Sequence, residues 1–280
     1  MQVEPVQRLL EDMRYEVIPM KGVDDQVRCL SPGSVVTVTC SPRHGIERSV
    51  AMATQYRQLG YRAVPHVAAR LVRDSQHLQA VAQSLQEAGL KEIFVIAGDE
   101  AQPAGSFVGA LDVLRGLHEI DPSGWQIGVA SYPDGHPMMT PTQLMEALAA
   151  KQPYAAYMVT QLCFDAEKIA SWLAEVRERG IGLPVYIGIP GWVDRRRLWE
   201  ISLRIGVGES TRYLRRNTHV AKELLAHDRY DPAPLIEAVL EAVDRRGLNV
   251  AGFHVNTFNQ VCATVEWKQR WVTELNAAKG

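Results

Sequence analysis

The sequence has no excess of charge of either sign and no long hydrophobic run. Its 280 residues include 30 basic and 32 acidic side chains, which gives a formal net charge of −2. This balance argues against binding to nucleic acid or to an anionic membrane surface. No apolar run reaches the length that spans a bilayer, and the N-terminal residues lack the apolar core of a signal peptide. We therefore expect a soluble, cytoplasmic protein.

Cysteine is scarce, and the motifs of several catalytic classes are missing. Cys29, Cys40, Cys163 and Cys262 lie far apart and form no CxxC pair. This spacing predicts four reduced thiols, most of them buried. The histidines lack metal-binding spacing, so we expect no metal site. The absence of a GxSxG elbow, a Walker loop and a GxGxxG turn argues against several hydrolase and nucleotide-binding classes.

What the sequence does contain is an alternation of short apolar segments with longer segments of helical spacing. Continuous apolar character is typical of strands that are buried on both faces. The predicted strands cover residues 15–18, 34–40, 62–66, 93–97, 126–130, 154–160, 184–188 and 250–255. Eight such units predict one (β/α)8 TIM barrel over residues 1–280, with extra helices between strands seven and eight. A doubly wound open sheet is the alternative.

Polar residues collect at, or just after, the ends of these strands. They are Glu16, His66, Asp99, Tyr132, His136, Gln161, Asn256, Thr257 and Asn259. Taken singly, a strand glutamate commonly faces solvent and a post-strand Gly-Asp is commonly a helix cap. In a barrel, however, the carboxyl ends of all the strands meet at one rim, where active sites form. The pattern predicts a small-molecule site equipped for proton-assisted chemistry.

Several of these segments resemble motifs of the methylenetetrahydrofolate reductase family, in the family's order. The segment YEVIPMK at 15–21 resembles the first-strand motif FEFFPPK, and TVTC at 37–40 resembles the second strand. PHV at 65–67 and GD at 98–99 resemble the Pro-His and Gly-Asp motifs. The most specific matches are IGVASYPDGHP at 127–137, similar to GVAYPEGHP, and VTQLCFD at 159–165, similar to ITQLFFD. FHVNTFN at 253–259 resembles the final FHFYTLN.

The resemblance implies a barrel that reduces 5,10-methylenetetrahydrofolate to 5-methyltetrahydrofolate, a step of one-carbon metabolism that serves methionine biosynthesis. Glu16 matches the acid that helps to open the imidazolidine ring, and Asp99 matches the carboxylate that stabilises the resulting iminium cation. Gln161 matches the amide that binds the pterin, and Trp192 and Thr257 are assigned to the same substrate site. We expect burial in the barrel mouth to raise the pKa of Glu16 toward neutrality, as an acid requires.

The sequence departs from the family where most members hold a flavin. Ala97 replaces the arginine before Gly-Asp, and residues 106–111 read SFVGAL in place of a YAxDLV helix start. Met145 and Gln152 occupy the positions of an aspartate and a lysine. These losses favour the flavin-independent branch, in which NADH or NADPH gives its hydride directly to the folate. His66, Tyr132 and His136 would then line a nicotinamide pocket, and FAD is not expected.

Other functions stay open at this point. They are an ordinary FAD-dependent reductase with ping-pong kinetics, a folate-dependent methyltransferase, and a non-catalytic barrel that binds folate or a partner protein. The sequence has no motif that selects NADH over NADPH, and it leaves the oligomeric state open with a monomer slightly favoured. Basic segments at 195–197 and 215–216 are candidates for the glutamate tail or the dinucleotide phosphates.

Overall fold

A computed structural model describes residues 3–196, 198 and 229–277, and in these residues eight parallel strands close into a barrel. The barrel strands are β1 (Arg14–Val17), β2 (Val35–Val38), β3 (Arg62–Ala68), β4 (Glu92–Ile96), β5 (Gln126–Ser131), β6 (Tyr157–Thr160), β7 (Val185–Pro190) and β10 (Gly252–Asn256). Two short strands, β8 (Val193–Asp194) and β9 (Arg229–Tyr230), pair antiparallel outside it. Each predicted strand is present, and β1 pairs with β10 to close the ring. The predicted (β/α)8 fold is confirmed.

Helices alternate with the strands along the described chain. They are α1 (Val3–Glu11), α2 (Val23–Val27), α3 (Gly45–Gln58), α4 (Ser75–Glu87), α5 (Ala110–Ile120), α6 (Pro141–Lys151), α7 (Ala166–Glu178), α8 (Ala233–Asp244) and α9 (Val261–Ala277). Thr140 caps α6 in a capping box with Gln143, and the Asp165 side chain caps α7. The extra helices predicted between the last two barrel strands fall largely on residues 199–228, outside the described residues. Within the described part, no helix is both long and apolar enough to cross a membrane.

Successive side chains along each strand point to opposite faces of the barrel wall, so they belong to two packed layers, one outside the wall and one inside the lumen. Tyr15 and Val17 of β1 point outward into the main core between strands and helices. Arg14 and Glu16 take the opposite face, which is the barrel lumen. Inside the lumen, five apolar side chains from four strands form a second cluster: Val35, Val64, Phe94, Tyr157 and Val159. Glu16 therefore lies inside the barrel, above an apolar layer.

Arg14 fills the lower lumen, at the amino-terminal end of the strands. Its guanidinium forms an ion pair with Glu92, donates to the Tyr157 hydroxyl at 2.8 Å, and lies 4.4 and 4.7 Å from the ring centres of Tyr157 and Tyr186. Gly128 makes room for this cluster, because a Cβ there would lie 2.4 Å from the Tyr157 ring. A buried, paired and stacked arginine closes this end of the barrel, so access to the lumen is from the opposite end.

The prediction of four reduced cysteines is wrong for one pair. Cys29, just after α2, forms a disulfide with Cys262 in the first turn of α9, while Cys40 and Cys163 are free and buried. The two bonded cysteines are 233 residues apart in sequence, but the closure of β1 against β10 brings the segments that follow these strands together. Sequence spacing could not reveal this contact, because it depends on barrel closure.

Reduction of this disulfide is expected to lower the melting temperature by roughly 5–15 °C, because the bond closes a very long loop in the unfolded chain. Thermal unfolding with and without dithiothreitol measures the shift. A protein with both Cys29→Ser and Cys262→Ser is the control and should not respond to the reductant. Four reactive thiols in the denatured, unreduced protein would contradict the disulfide.

Candidate active site

The candidate site lies at the barrel mouth, which we define as the carboxyl ends of the barrel strands and the loops that follow them. Glu16 stands at its centre, with 20% of its side chain exposed. Its Oε2 lies 3.0 Å from Nε2 of His254 on the neighbouring strand β10. Nε2 of His66 on β3 lies 3.8 Å from the same oxygen. Three titratable side chains from three strands thus meet at one carboxylate oxygen.

The electrostatics of Glu16 differ from the prediction. Burial acts to raise the pKa of Glu16, but the hydrogen bond and the charge of His254 outweigh it, so this pKa lies below its usual value. The expectation of a raised pKa is therefore wrong for the protein without substrate. An ionised carboxylate can only accept hydrogen bonds, so His254 Nε2 carries the hydrogen and donates it to Glu16.

His66, predicted in the nicotinamide pocket, is almost fully buried, with 3% of the residue exposed. Its ring packs on Phe94 with a centroid distance of 4.8 Å. Burial, together with the positive charges of His254 and Arg14, lowers the pKa of His66 to about 4, against the opposing charge of Glu16. His66 is therefore neutral at neutral pH. Its Nε2 is buried and has no hydrogen-bond partner among the described residues.

The turn between β10 and α9 fixes the Glu16 backbone. The Thr257 hydroxyl is fully buried and donates to the Glu16 carbonyl at 2.6 Å. The Asn259 side chain accepts from Ile18 N at 2.8 Å and donates to Ile18 O at 2.9 Å, with its own backbone left-handed at φ 61°. Asparagine tolerates this conformation better than most residues. Thr257 thus holds the strand that carries Glu16, and its predicted substrate contact stays a prediction.

The other predicted residues lie on the strands across the mouth. Asp99 is exposed after β4, and Tyr132 follows β5, with its ring 5.2 Å from the His136 ring. Burial raises the pKa of Tyr132, and the negative charge of Asp99 adds to this increase. Gln161 follows β6, and its backbone N–H donates to the Ser131 carbonyl at 2.8 Å. The described residues of the mouth therefore form two groups, one around Glu16 and one around Asp99 and Tyr132.

Three further positions have described contacts outside this mouth. Trp192 packs against the outer core with Arg270 of α9 over its ring at 5.6 Å, so its predicted substrate contact stays a prediction. Met145 is buried in the outer core. The Gln152 side chain accepts from Gly182 N at 2.7 Å and donates to Gly180 O at 3.4 Å. Met145 and Gln152 are thus committed to the packing of α6.

Sequence reasoning did not assign His254, which makes the shortest contact to the Glu16 carboxylate. The signal was present in the alternation of β10, where Phe253 and Val255 are apolar while His254 and Asn256 are polar. When the apolar residues of a barrel strand pack against the surrounding helices, the polar residues that alternate with them face the lumen. Reading that alternation against β1 would have placed His254 beside Glu16.

Comparison with known proteins gives one family across most of the chain. A family model described as methylenetetrahydrofolate reductase matches residues 25–268. A "Probable methylenetetrahydrofolate reductase (NADPH)" from Caenorhabditis elegans is 34% identical over 124 residues, which are 41% of this chain and 19% of that protein. "Methylenetetrahydrofolate reductase 1" of Schizosaccharomyces pombe is 27% identical over 123 residues, 41% of this chain and 20% of that protein. The aligned part of the chain spans about a fifth of the length of these curated relatives.

A solved structure gives the same fold. An uncharacterized protein from Clostridium thermocellum, described as binding two copies of 5-methyl-5,6,7,8-tetrahydrofolic acid, has a TM-score of 0.62 and 12% sequence identity. The match covers 96% of this chain and 99% of that one. Glu16 precedes the residues matched by the family model, so its assignment depends on the first-strand motif and on the geometry described above.

Proposed function

Because the chain belongs to the methylenetetrahydrofolate reductase family, we propose that it reduces 5,10-methylenetetrahydrofolate to 5-methyltetrahydrofolate with NADH or NADPH. The observation that carries the proposal is the Glu16 carboxylate inside the barrel mouth, within hydrogen-bond distance of His254. A proton donor at this position is what ring opening of the substrate requires.

Glu16 acts as the acid in this proposal. Opening of the imidazolidine ring breaks the bond between the methylene carbon and the leaving nitrogen, and that nitrogen takes a proton. In the protein without substrate, Glu16 is ionised. A folate in the mouth would cover the exposed fifth of its side chain and weaken its hydration, which favours the protonated form. The carboxylic acid then gives its proton to the leaving nitrogen and returns to the carboxylate.

Asp99 and Gln161 bind and stabilise the pterin in the same proposal. The iminium formed by ring opening is a cation, and the exposed Asp99 carboxylate provides a negative charge across the mouth from Glu16. Gln161 directly follows β6, and its side-chain oxygen accepts from Leu162 N at 2.9 Å, so its amide NH2 is the group proposed to bind the polar edge of the pterin. The iminium carbon is then the acceptor of the hydride.

Direct hydride transfer from the dinucleotide is proposed in place of a flavin intermediate. Support comes from the positions at which most family members hold a flavin. In this chain those positions carry Ala97, Met145 and Gln152. Met145 is buried in the core, and the Gln152 side chain accepts a hydrogen bond from the backbone of Gly182. These residues do not fit a flavin with charged phosphates and a ribityl chain. The nicotinamide would then lie beside the folate, near Tyr132 and His136.

We expect pure protein without flavin absorbance to oxidise NADH or NADPH only when methylenetetrahydrofolate is present. Both substrates must be bound together for direct transfer, so initial-rate plots at several fixed folate concentrations should give intersecting lines. The visible spectrum of the protein and the steady-state rates are the measurements. A bound yellow cofactor with parallel lines would assign the ordinary ping-pong reductase.

A further inference from the structure

Arg70 lies at the barrel mouth and forms no ion pair with another of the described residues. It belongs to a single 3-10 turn, Ala69–Leu71, directly after β3. Its Nε is buried and has no hydrogen-bond partner among the described residues, and none of the described ion pairs involves its guanidinium. Two other arginines with a buried Nε differ, because Arg14 is paired with Glu92 and Arg195 has an interaction of its own. A buried polar group without a partner is rare and calls for a ligand or a water.

The backbone holds Arg70 beside the Gly98–Asp99 segment. Its N–H donates to the Ala97 carbonyl at 2.9 Å, and its carbonyl accepts from Ala104 N–H at 2.8 Å. A Cβ added at Gly98 would lie 3.2 Å from the Ala68 Cβ and 3.6 Å from the Arg70 Cβ, and Gly98 has φ +95°. Gly98 therefore keeps the space next to Arg70 free at the end of β4. The two backbone hydrogen bonds fix the Cα and Cβ of Arg70 next to Ala97.

We propose that Arg70 binds an oxyanion group of a substrate at the mouth, either a dinucleotide phosphate or a carboxylate of the folate's glutamate tail. An arginine presents a planar fork of N–H donors that matches both groups. The inference rests on the proposed function for the identity of the two ligands.

Equilibrium binding tests the proposal without requiring turnover. We expect Arg70→Met to weaken the binding of NADH, or of 5-methyltetrahydrofolate triglutamate, by about 10-fold or more, because a charge-assisted contact is lost. Arg73→Met is the matched control, since Arg73 is an exposed arginine three residues later, and it should change neither affinity by more than about twofold. NADH fluorescence and protein fluorescence quenching give the two dissociation constants.

The binding measurements with NADH and with the folate show which of the two ligands supplies the oxyanion. Loss of NADH affinity alone assigns a dinucleotide phosphate, and loss of folate affinity that grows with the number of glutamates assigns the tail. Wild-type affinities for both ligands in the Arg70→Met protein would overturn the proposal while leaving the reductase function intact. A wild-type protein that binds neither ligand would instead overturn the proposed function. If Arg70→Met does not fold, Arg70→Lys replaces it and should weaken the same ligand, because the fork is lost while the charge remains.

Discussion

Replacement of Glu16 by glutamine is expected to lower kcat by about 10²- to 10⁴-fold, the usual effect of removing a positioned acid. The amide keeps the size of the side chain and can still accept a hydrogen bond from His254, but it has no proton to give to the leaving nitrogen. The dissociation constant for NADH should stay within about threefold of wild type, because the acid is proposed to contact the folate. Single-turnover reduction, followed by NADH absorbance, measures the loss.

Glu47 provides a matched control for this substitution. Its carboxylate accepts from a histidine in the same manner, with Oε1 lying 3.1 Å from His77 Nε2, but it is 66% exposed and lies on the outer helix α3. Glu47→Gln should therefore keep the wild-type kcat. If Glu16→Gln also kept it, Glu16 would be a structural partner of His254, and the assignment of the acid would fail.

Removal of the His254 ring is expected to move the alkaline limb of the kcat profile to higher pH by about 1 unit or more. The proposed acid works only when protonated, so kcat falls as pH rises through the pKa of Glu16 in the substrate complex. His254 stabilises the carboxylate and so lowers that pKa. His254→Leu removes this stabilisation, raises the pKa of Glu16 and lets the acid form persist at higher pH. The pH dependence of single-turnover rates gives the midpoint.

His254→Gln separates this effect from a change in packing. A glutamine side chain can place an N–H donor near the position of the histidine Nε2. The alkaline limb of the kcat profile of His254→Gln should therefore stay closer to that of wild type than the limb of His254→Leu does. Melting curves of both variants confirm that each one folds. Identical midpoints in wild type and His254→Leu would show that His254 does not control the proton of Glu16.

Much of the fold could be predicted from sequence because its determinants are local. The eight apolar strands each lie within a short segment, and the structure has a strand in each of the predicted segments. Contacts created by barrel closure could not be predicted in this way. The Cys29–Cys262 disulfide and the Arg14–Glu92 pair join residues that only the closed ring brings together.

The candidate site follows the same division. The strand-end positions of Glu16, Asp99 and Gln161 could be read from sequence, whereas β3 continues to Ala68, two residues beyond the predicted strand end at His66. The direction in which the pKa of Glu16 is shifted could not be predicted, because it depends on a hydrogen bond from His254, which is 238 residues away. The hydroxyl of Thr257 is a similar case, because its partner, the Glu16 carbonyl, is 241 residues away in the sequence.

The remaining functions make different predictions about turnover. A folate-dependent methyltransferase on the same barrel would transfer the methyl group to an acceptor and would not oxidise NADH. A non-catalytic barrel would bind 5-methyltetrahydrofolate with the same affinity in wild type and Glu16→Gln and would give no product from either. Binding and turnover measured on the same preparations separate these functions from the proposed reductase.

Transfer of deuterium from NADH labelled at C4 tests the central claim most directly. The substrate is methylenetetrahydrofolate, both C4 epimers of the labelled NADH are used, and the product methyl group is analysed by mass spectrometry. Direct transfer predicts one deuterium in the methyl group with one of the two epimers, because the hydride never occupies an exchangeable position. A methyl group without deuterium would contradict the account, since hydrogen held on a flavin nitrogen exchanges with water before it reaches the folate.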